Sequence, residues 1–341
     1  MSRNMLITGG AGFIGSNYAA RCIARGDTVT IFDNLSRSGA AANLQWLKSS
    51  YGPDSFTLEV GDVRQADAIR EAAAGVDVIV HLAGQVAVTT SVTDPREDFE
   101  INALGTFNVL EAARASGRNP AVLYASTNKV YGGMEDVRVE ETPTQYRYAD
   151  FPLGIPETQP LDFHSPYGCS KGSGDQYVRD YHRIYGLPTV VLRQSCIYGT
   201  RQFGVEDQGW VAWFVIAAVT GRPIKIYGDG KQVRDVLFVE DLLNAYDLAL
   251  ANLAVSAGQV YNVGGGPTNT MSIWMDFEPI LEKLLGRPVP TSRGDWRPGD
   301  QRIYVSDIRK AQQELGWAPR VGVADGVERL YRWVLENRTL F

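Results

Sequence analysis

The chain has 341 residues, 44% of them apolar and 21% charged, with 35 Gly and 16 Pro. At about 150 residues per domain this length suits two domains, and the composition excludes fibrous and disordered classes. The net charge of −6 gives no global pull toward nucleic acid or an anionic membrane, so any phosphate must be met by a few placed Arg, helix N-termini and backbone N–H groups.

Cys22, Cys169 and Cys196 show no Cys-x-x-Cys spacing and read as reduced thiols, with no disulfide framework and no metal site. The first apolar stretch, Met5 to Thr8, is too short for a signal peptide. The longest uncharged apolar run, Trp210 to Val219, has ten residues, against about 20 for a membrane span. The expectation is a soluble, cytoplasmic chain with neither nucleic acid nor membrane as partner.

Predicted strands fall at Met5–Thr8, Thr28–Phe32, Phe56–Val60, Val76–Leu82 and Ala121–Ala125. Val, Ile and Leu dominate them with little alternation, as in strands covered on both faces. Helical segments near 13–25, 64–74, 100–116 and 167–185 lie between or after them. Strands alternating with helices make βαβ units and a parallel sheet, which Thr189–Leu192 and Val260–Val263 extend. Residues 133–165 lack periodicity and read as a long functional loop. Helical stretches at 209–220, 240–252 and 272–285 belong to a smaller lobe. The predicted class is α/β, a Rossmann-type doubly wound parallel sheet with a smaller mixed α/β C-terminal substrate lobe. The sheet domain would take 1–192 plus about 231–262, and the lobe about 193–230 and 263–341, interleaved.

Gly9-Gly10-Ala11-Gly12-Phe13-Ile14-Gly15 follows the first strand and opens a helix. Small residues there let the backbone approach a pyrophosphate seated on the helix N-terminus, the fingerprint of dinucleotide binding. Asp33 ends the second strand, 24 residues after Gly9. A carboxylate at that place accepts from the adenosine ribose hydroxyls and repels a 2′-phosphate, favouring NAD over NADP; Arg37, nearby, tempers that exclusion. Asp62, in Gly61-Asp62-Val63, reads equally as a partner for the adenine amino group or as a helix N-cap. His81-Leu82-Ala83-Gly84 closes the fourth strand, where ligands sit in such sheets; His81 itself reads as a packed strand histidine.

Tyr167-Gly-Cys-Ser-Lys171 begins a helix, and its i, i+4 spacing puts phenol and ammonium on one face. A free Tyr is a poor base at pH 7, and a neighbouring ammonium is expected to lower its pKa. Thr127, at the end of the fifth strand, would hydrogen-bond a substrate hydroxyl.

Together Gly9-x-x-Gly12-x-x-Gly15, Ser126-Thr127 through Val130-Tyr131-Gly132, and Tyr167-x-x-x-Lys171 resemble the extended short-chain dehydrogenase/reductase superfamily over nearly the whole chain. The resemblance continues in Gly228-Asp229-Gly230-Lys231-Gln232-Val233-Arg234-Asp235 and in Arg297-Pro298-Gly299-Asp300. Longer segments, from His81 to Ser91, Ser126 to Tyr131, His164 to Lys171 and Arg201 to Trp210, are similar to the nucleotide-sugar epimerases that invert C2 of a CDP-hexose, the CDP-tyvelose epimerase group.

That resemblance implies a tightly bound NAD, regenerated at each turnover, and a transient keto-sugar whose hydride returns to the opposite face. The implied catalytic residues are Tyr167, Lys171 and Thr127. Gly9, Gly12, Phe13, Ile14, Gly15, Asp33, Asn34, Arg37, Asp62, Val63, Leu82, Ala83, Gln85 and Asn102 would hold the cofactor with Tyr167 and Lys171. Thr127, Asn128, Gln194, Cys196, Gln208, Gly209, Trp210, Arg234, Arg297 and Asp300 would hold the nucleotide-diphosphate sugar, with Arg234 and Arg297 on its diphosphate. Many sugar-nucleotide epimerases carry Asn where Cys196 stands, and a thiol is a weaker donor. The family also pairs two helices per subunit, here about 100–116 and 167–185, into a homodimer or homotetramer. The rival readings are a 4-epimerase, a 4,6-dehydratase and a net NAD-dependent dehydrogenase. The dehydratases carry Asp-Glu after the Thr, and this chain has Asn128-Lys129 instead.

Overall fold

The computed structural model describes residues 2–297 and 300–341. The chain divides into two units: residues 1–130, 165–193 and 246–261 make the first, and 131–164, 194–245 and 262–341 the second. Segments 131–164 and 231–245, which the sequence pattern groups with the sheet domain, thus cluster with the second unit.

In the first unit β1 (Asn4–Thr8), α1 (Phe13–Arg25), β2 (Thr28–Asp33), α2 (Ala40–Tyr51), β3 (Thr57–Val60), α3 (Ala66–Ala72) and β4 (Val78–His81) follow one another. The short helices α4 (Val88–Thr93) and α5 (Pro95–Phe99) lead through a π-helical turn, Glu100–Leu104, into α6 (Gly105–Ala115), β5 (Ala121–Thr127) and the 21-residue α7 (Ser165–Tyr185). The sheet order is β3-β2-β1-β4-β5, then Thr189–Gln194 and Val260–Val263. Every pairing among β1 to β5 is parallel. The order reverses between β1 and β4, the switch point where doubly wound sheets take ligands. All four residues of β4 and all six of Thr189–Gln194 are buried, which explains the apolar runs Val78–Val80 and Val190–Leu192 within them. On one face Leu6, Ile79 and Val122 of the sheet pack with Ile69 of α3, Val109 of α6 and Val178 of α7.

The helix α2 is absent from the sequence expectation; Ser36 and Ser38 precede it, but its N-cap position falls on a glycine. Gly39, at φ +88°, is its N-cap and offers no side chain. The predicted 100–116 helix starts instead as the π-turn, behind a helix that Asp94 caps by accepting from Glu97 N–H.

The second unit holds the helix Trp210–Thr220, in which eight residues are buried. An apolar helix of this kind is a core element. Among the described residues no helix is long and apolar enough to cross a membrane. The strand Ile224–Tyr227 pairs with Thr291–Gly294 in parallel. Val233–Asp235 lies between Thr270–Ser272 and Ile303–Tyr304. The long 133–165 segment contains a small antiparallel ladder, Val139–Glu141 with Tyr146–Tyr148.

Candidate active site

The glycine loop is fixed from beneath. Gly9 has φ +70°, and a Cβ on it would stand 2.7 Å from the Ala83 nitrogen at the end of β4. A Cβ on Gly15 would collide with the Gly9 carbonyl, so this glycine serves the close packing of α1 on the loop. A Cβ on Gly12 would meet only the Gly9 oxygen, at 3.2 Å. Gly12 is also the N-cap of α1, with no side-chain cap and no acidic residue in the first turn. The helix therefore keeps orphan N–H groups and an unneutralised positive end, which suits a pyrophosphate. Asn43 of α2, unnoticed in the sequence, donates to the Ala11 carbonyl at 3.1 Å and ties down the loop's far side.

The Asp33 carboxylate accepts from Ala11 N–H at 2.9 Å and Leu35 N–H at 2.8 Å. Burial raises its pKa, against those two N–H groups and the nearby Arg37 charge. A carboxylate has about four acceptor sites, so two remain for ribose hydroxyls. Asn34 donates to Asp62, whose carboxylate is gripped by Arg64 and held down to about 2. The N-cap of α3 is Gln65, not Asp62; Asp62 instead accepts the Arg64 N–H in a tight turn. Val63 is buried, and a Cβ on Gly105 would stand 2.7 Å from it. The Asn102 amide clasps the strand-end loop, accepting from Gln85 N–H and donating to its carbonyl, both at 3.0 Å. The loop amide of Ala83, next to Leu82, donates to Thr8 Oγ1. His81 is packed as expected, buried between the Thr8 and Thr106 hydroxyls at 2.7 and 3.1 Å, and burial drops its pKa to about 3.

The chemical residues converge within the first unit. Tyr167 is buried, as is Thr127. Thr127 accepts from Lys129 N–H at 3.3 Å and donates to Asn128 at 3.5 Å. Burial pushes the Tyr167 phenol up to about 12, with Asp98 adding to the rise and Thr127 and Arg37 opposing it. Here the structure departs from the expectation. The Lys171 ammonium is not among the charges that lower Tyr167. It lies over the Tyr124 ring, 4.3 Å from the centroid. Burial pulls Lys171 down to about 8, against the charges of Asp175 and Asp98. Spacing alone hides the ring that draws this side chain aside.

Asp175, Arg193 and Tyr124 are also absent from the sequence reading, and Ser126 enters it only as part of the strand-end motif. Asp175 accepts from Arg193 through both oxygens at 2.9 Å and from Ser126 Oγ at 2.7 Å, all buried. It ties α7 to the end of β5, one residue from Thr127. The i, i+4 relation of Lys171 and Asp175 on a helix is the signal that could have found it.

The second unit carries the other predicted residues. Arg234 is buried and donates to Asp300 at 2.8 Å. Arg297 reaches Asp207 at 3.1 Å and lies 4.0 Å over the Tyr227 ring. Gln208 closes a tight loop on Val205 through backbone bonds of 2.9 and 3.0 Å. Gly209, at φ +74°, backs onto Gln202. Gln194 is buried, and Cys196 holds a left-handed φ of 36° that favours residues without a Cβ branch. Trp210 Nε1, Gln202 Oε1 and Gln232 Oε1 are buried without a hydrogen-bond partner.

This chain belongs to the family whose model is described as GDP-mannose 4,6 dehydratase, matched over residues 6–330, within the extended short-chain dehydrogenases/reductases. It is similar to a CDP-paratose 2-epimerase of Salmonella typhi, 46% identical over 336 residues, spanning 96% of this chain and 98% of the relative. Among solved structures, the UDP-glucose 4-epimerase of Thermotoga maritima with UDP-glucose superposes with a TM-score of 0.84 at 29% identity, covering 98% of this chain and 99% of the other. The dTDP-glucose 4,6-dehydratase DesIV of Streptomyces venezuelae, with NAD bound, gives 0.85 at 31% identity, covering 99% and 98%.

Proposed function

We propose that this chain is an NAD-dependent nucleotide-sugar epimerase that inverts C2 of a CDP-hexose, converting CDP-paratose to CDP-tyvelose or a close analogue. The observation that carries the reading is the buried Thr127 and Tyr167 side chains with Lys171 one turn further on, behind a glycine loop at the sheet's switch point. The 46% identity to a 2-epimerase over 96% of the chain supports the regiochemistry.

The cofactor fits this chain's residues. Gly9, Gly12, Phe13, Ile14 and Gly15 receive its pyrophosphate at an uncapped helix end, and Asp33 keeps two acceptor sites for a ribose diol. When bound, NAD supplies reversible oxidation at the sugar carbon, so a keto-sugar forms and is reduced again from its other face. The work of this chain is to move a proton and to orient the sugar. Thr127 orders the sugar hydroxyl and Tyr167 takes its proton. Lys171 holds the nicotinamide ribose. Arg234 and Arg297 meet the diphosphate, and Asn128, Gln194, Cys196, Gln208, Gly209, Trp210 and Asp300 complete the sugar and nucleotide contacts. A cycle that ends with NAD restored gains from never releasing it, hence tight binding. The setting is the cytoplasm, and the assembly a homodimer or homotetramer.

The second reading is a 4-epimerase, favoured by the likeness to the Thermotoga maritima enzyme. A dehydratase needs an acid and a base beside Thr127; Asn128 and Lys129 offer no carboxylate there. Product NMR after incubation with a panel of CDP- and UDP-sugars decides. Inversion at C2 of a CDP-sugar is expected. Conversion of UDP-glucose to UDP-galactose, with CDP-sugars untouched, would replace the reading by the 4-epimerase.

A further inference from the structure

Asp98, on α5, is fully buried. Its oxygens are met by neutral donors: Ser170 Oγ at 2.5 Å, and the Asn102 amide at 3.1 Å, which also donates to Ser170 Oγ at 3.2 Å. Ser170 is the chain neighbour of Lys171. Nothing in the proposed reaction uses this carboxylate, and burying one costs several kcal/mol unless something nearby repays it. The chemical pair lies nearby: Ser170 Oγ is also 3.2 Å from the Tyr167 carbonyl, and a Cβ on Gly84 would stand 2.9 Å from Asn102 Oδ1 and 4.0 Å from Lys171 Nζ; by charge Asp98 acts on both groups, with Arg37 opposing it at Tyr167.

The groups facing Lys171 are few. On its own helix Asp175 is one turn further on, already bound through both oxygens to Arg193. On β4 stands His81, neutral and between two hydroxyls. On β5 the Tyr124 ring lies under the ammonium. In the loop after β4, a Cβ on Gly84 would be 4.0 Å from Nζ. Of the two carboxylates whose charge reaches Lys171, Asp98 is the one with no guanidinium among its partners in the described residues.

We propose that Asp98 is a positioning residue for the Tyr167–Lys171 couple, holding Lys171 as an ammonium and Tyr167 as a protonated phenol through charge across a buried gap. This rests on the reading of those two residues as the chemical pair. Without the charge, both groups give up their protons more readily, and the resting state of the site changes.

The test reads Lys171 directly. Acetic anhydride acylates an amine only in its unprotonated form, so the rate of Lys171 acetylation, followed by peptide mass spectrometry from pH 6 to 10, reports its titration without any turnover. Wild-type protein should show a midpoint of about 8. Asp98→Asn, nearly isosteric, should lower it by about one unit, the scale for losing one close opposite charge. Asp98→Ala should move it the same way if the amide variant folds poorly. Ser170→Ala removes a hydrogen bond and keeps the charge, so its midpoint should stay at the wild-type value. Coincident curves for wild type and both Asp98 variants overturn the proposal, as does a Ser170→Ala shift equal to theirs. CDP-sugar conversion, assayed separately on the wild type, judges the reaction itself, so the two failures are distinguishable.

Discussion

The Tyr124 ring supports Lys171 from two sides: the ammonium lies 4.3 Å from its centroid, and its hydroxyl donates to the Lys171 carbonyl at 3.2 Å. A cation over a desolvated aromatic face is stabilised by about 2 kcal/mol or more. That partly offsets the burial of Lys171, while burial pushes the Tyr167 phenol up to about 12. The phenol therefore rests protonated, ready to donate to a keto-sugar, and loses its proton only as substrate and cofactor charge change its surroundings.

Tyr167→Phe keeps the ring and loses the proton. Turnover should fall about 10²–10⁴-fold, the range for general acid–base catalysis, while the cofactor still binds. Steady-state rates with CDP-sugar, beside dinucleotide content, check this. A variant within threefold of wild type would show that another group moves the proton.

The dinucleotide should travel with the protein. Denatured, freshly purified protein should release NAD into the supernatant, read by mass spectrometry. Release of NADP would contradict the role of Asp33, and an active enzyme yielding no dinucleotide would contradict tight binding.

Lys171 gives stability a pH dependence of known sign. It titrates near 8 folded against 10.5 in a free side chain. Between those values the unfolded chain holds more protons, so stability rises with pH. Tyr167 does the opposite above 10, where its phenol, at about 12 when folded, holds a proton that the unfolded chain releases. In melts at pH 8 and pH 10, the Tm of wild type minus that of Lys171→Met should grow more positive at the higher pH. Equal differences would mean that folded Lys171 titrates as the free side chain does, with no depression by burial.

Much of this site is legible in one dimension because it is local. The loop from Gly9 to Gly15, the carboxylate ending β2 and the Tyr167–Lys171 turn each act through backbone geometry or helix period, which spacing encodes. Asn43, Tyr124 and Asp98 belong to the same site through contacts between elements that no local pattern marks, whereas Asp175 stands one helical turn after Lys171, where the helix period could have found it. Asp62 is instructive: the residue that suits a cap closes a turn on Arg64, because the helix starts at Gln65. The apolar run at Trp210–Val219 is read correctly as too short for a membrane, and it is a core helix of the second unit.

Self-association should use α6 and α7. Phe107 and Tyr177 pack edge to face at 6.0 Å yet stay 39% and 48% exposed, and Ile184, two turns beyond Tyr177, is 65% exposed. Exposed apolar surface repeated along two neighbouring helices suits a second copy of the chain. Sedimentation at micromolar concentration should give at least twice the chain mass of 37.5 kDa, and Tyr177→Glu with Ile184→Lys should return the monomer. A wild type that sediments as a monomer would refute it.

The most direct test of a redox epimerisation at C2 is the fate of the hydrogen there. A CDP-hexose deuterated at C2 is incubated with the enzyme in ordinary water and the product read by NMR. Transfer to and from the bound cofactor predicts inversion at C2 with the deuterium retained. Loss of the label to water, or inversion at C4 with C2 untouched, would contradict the account.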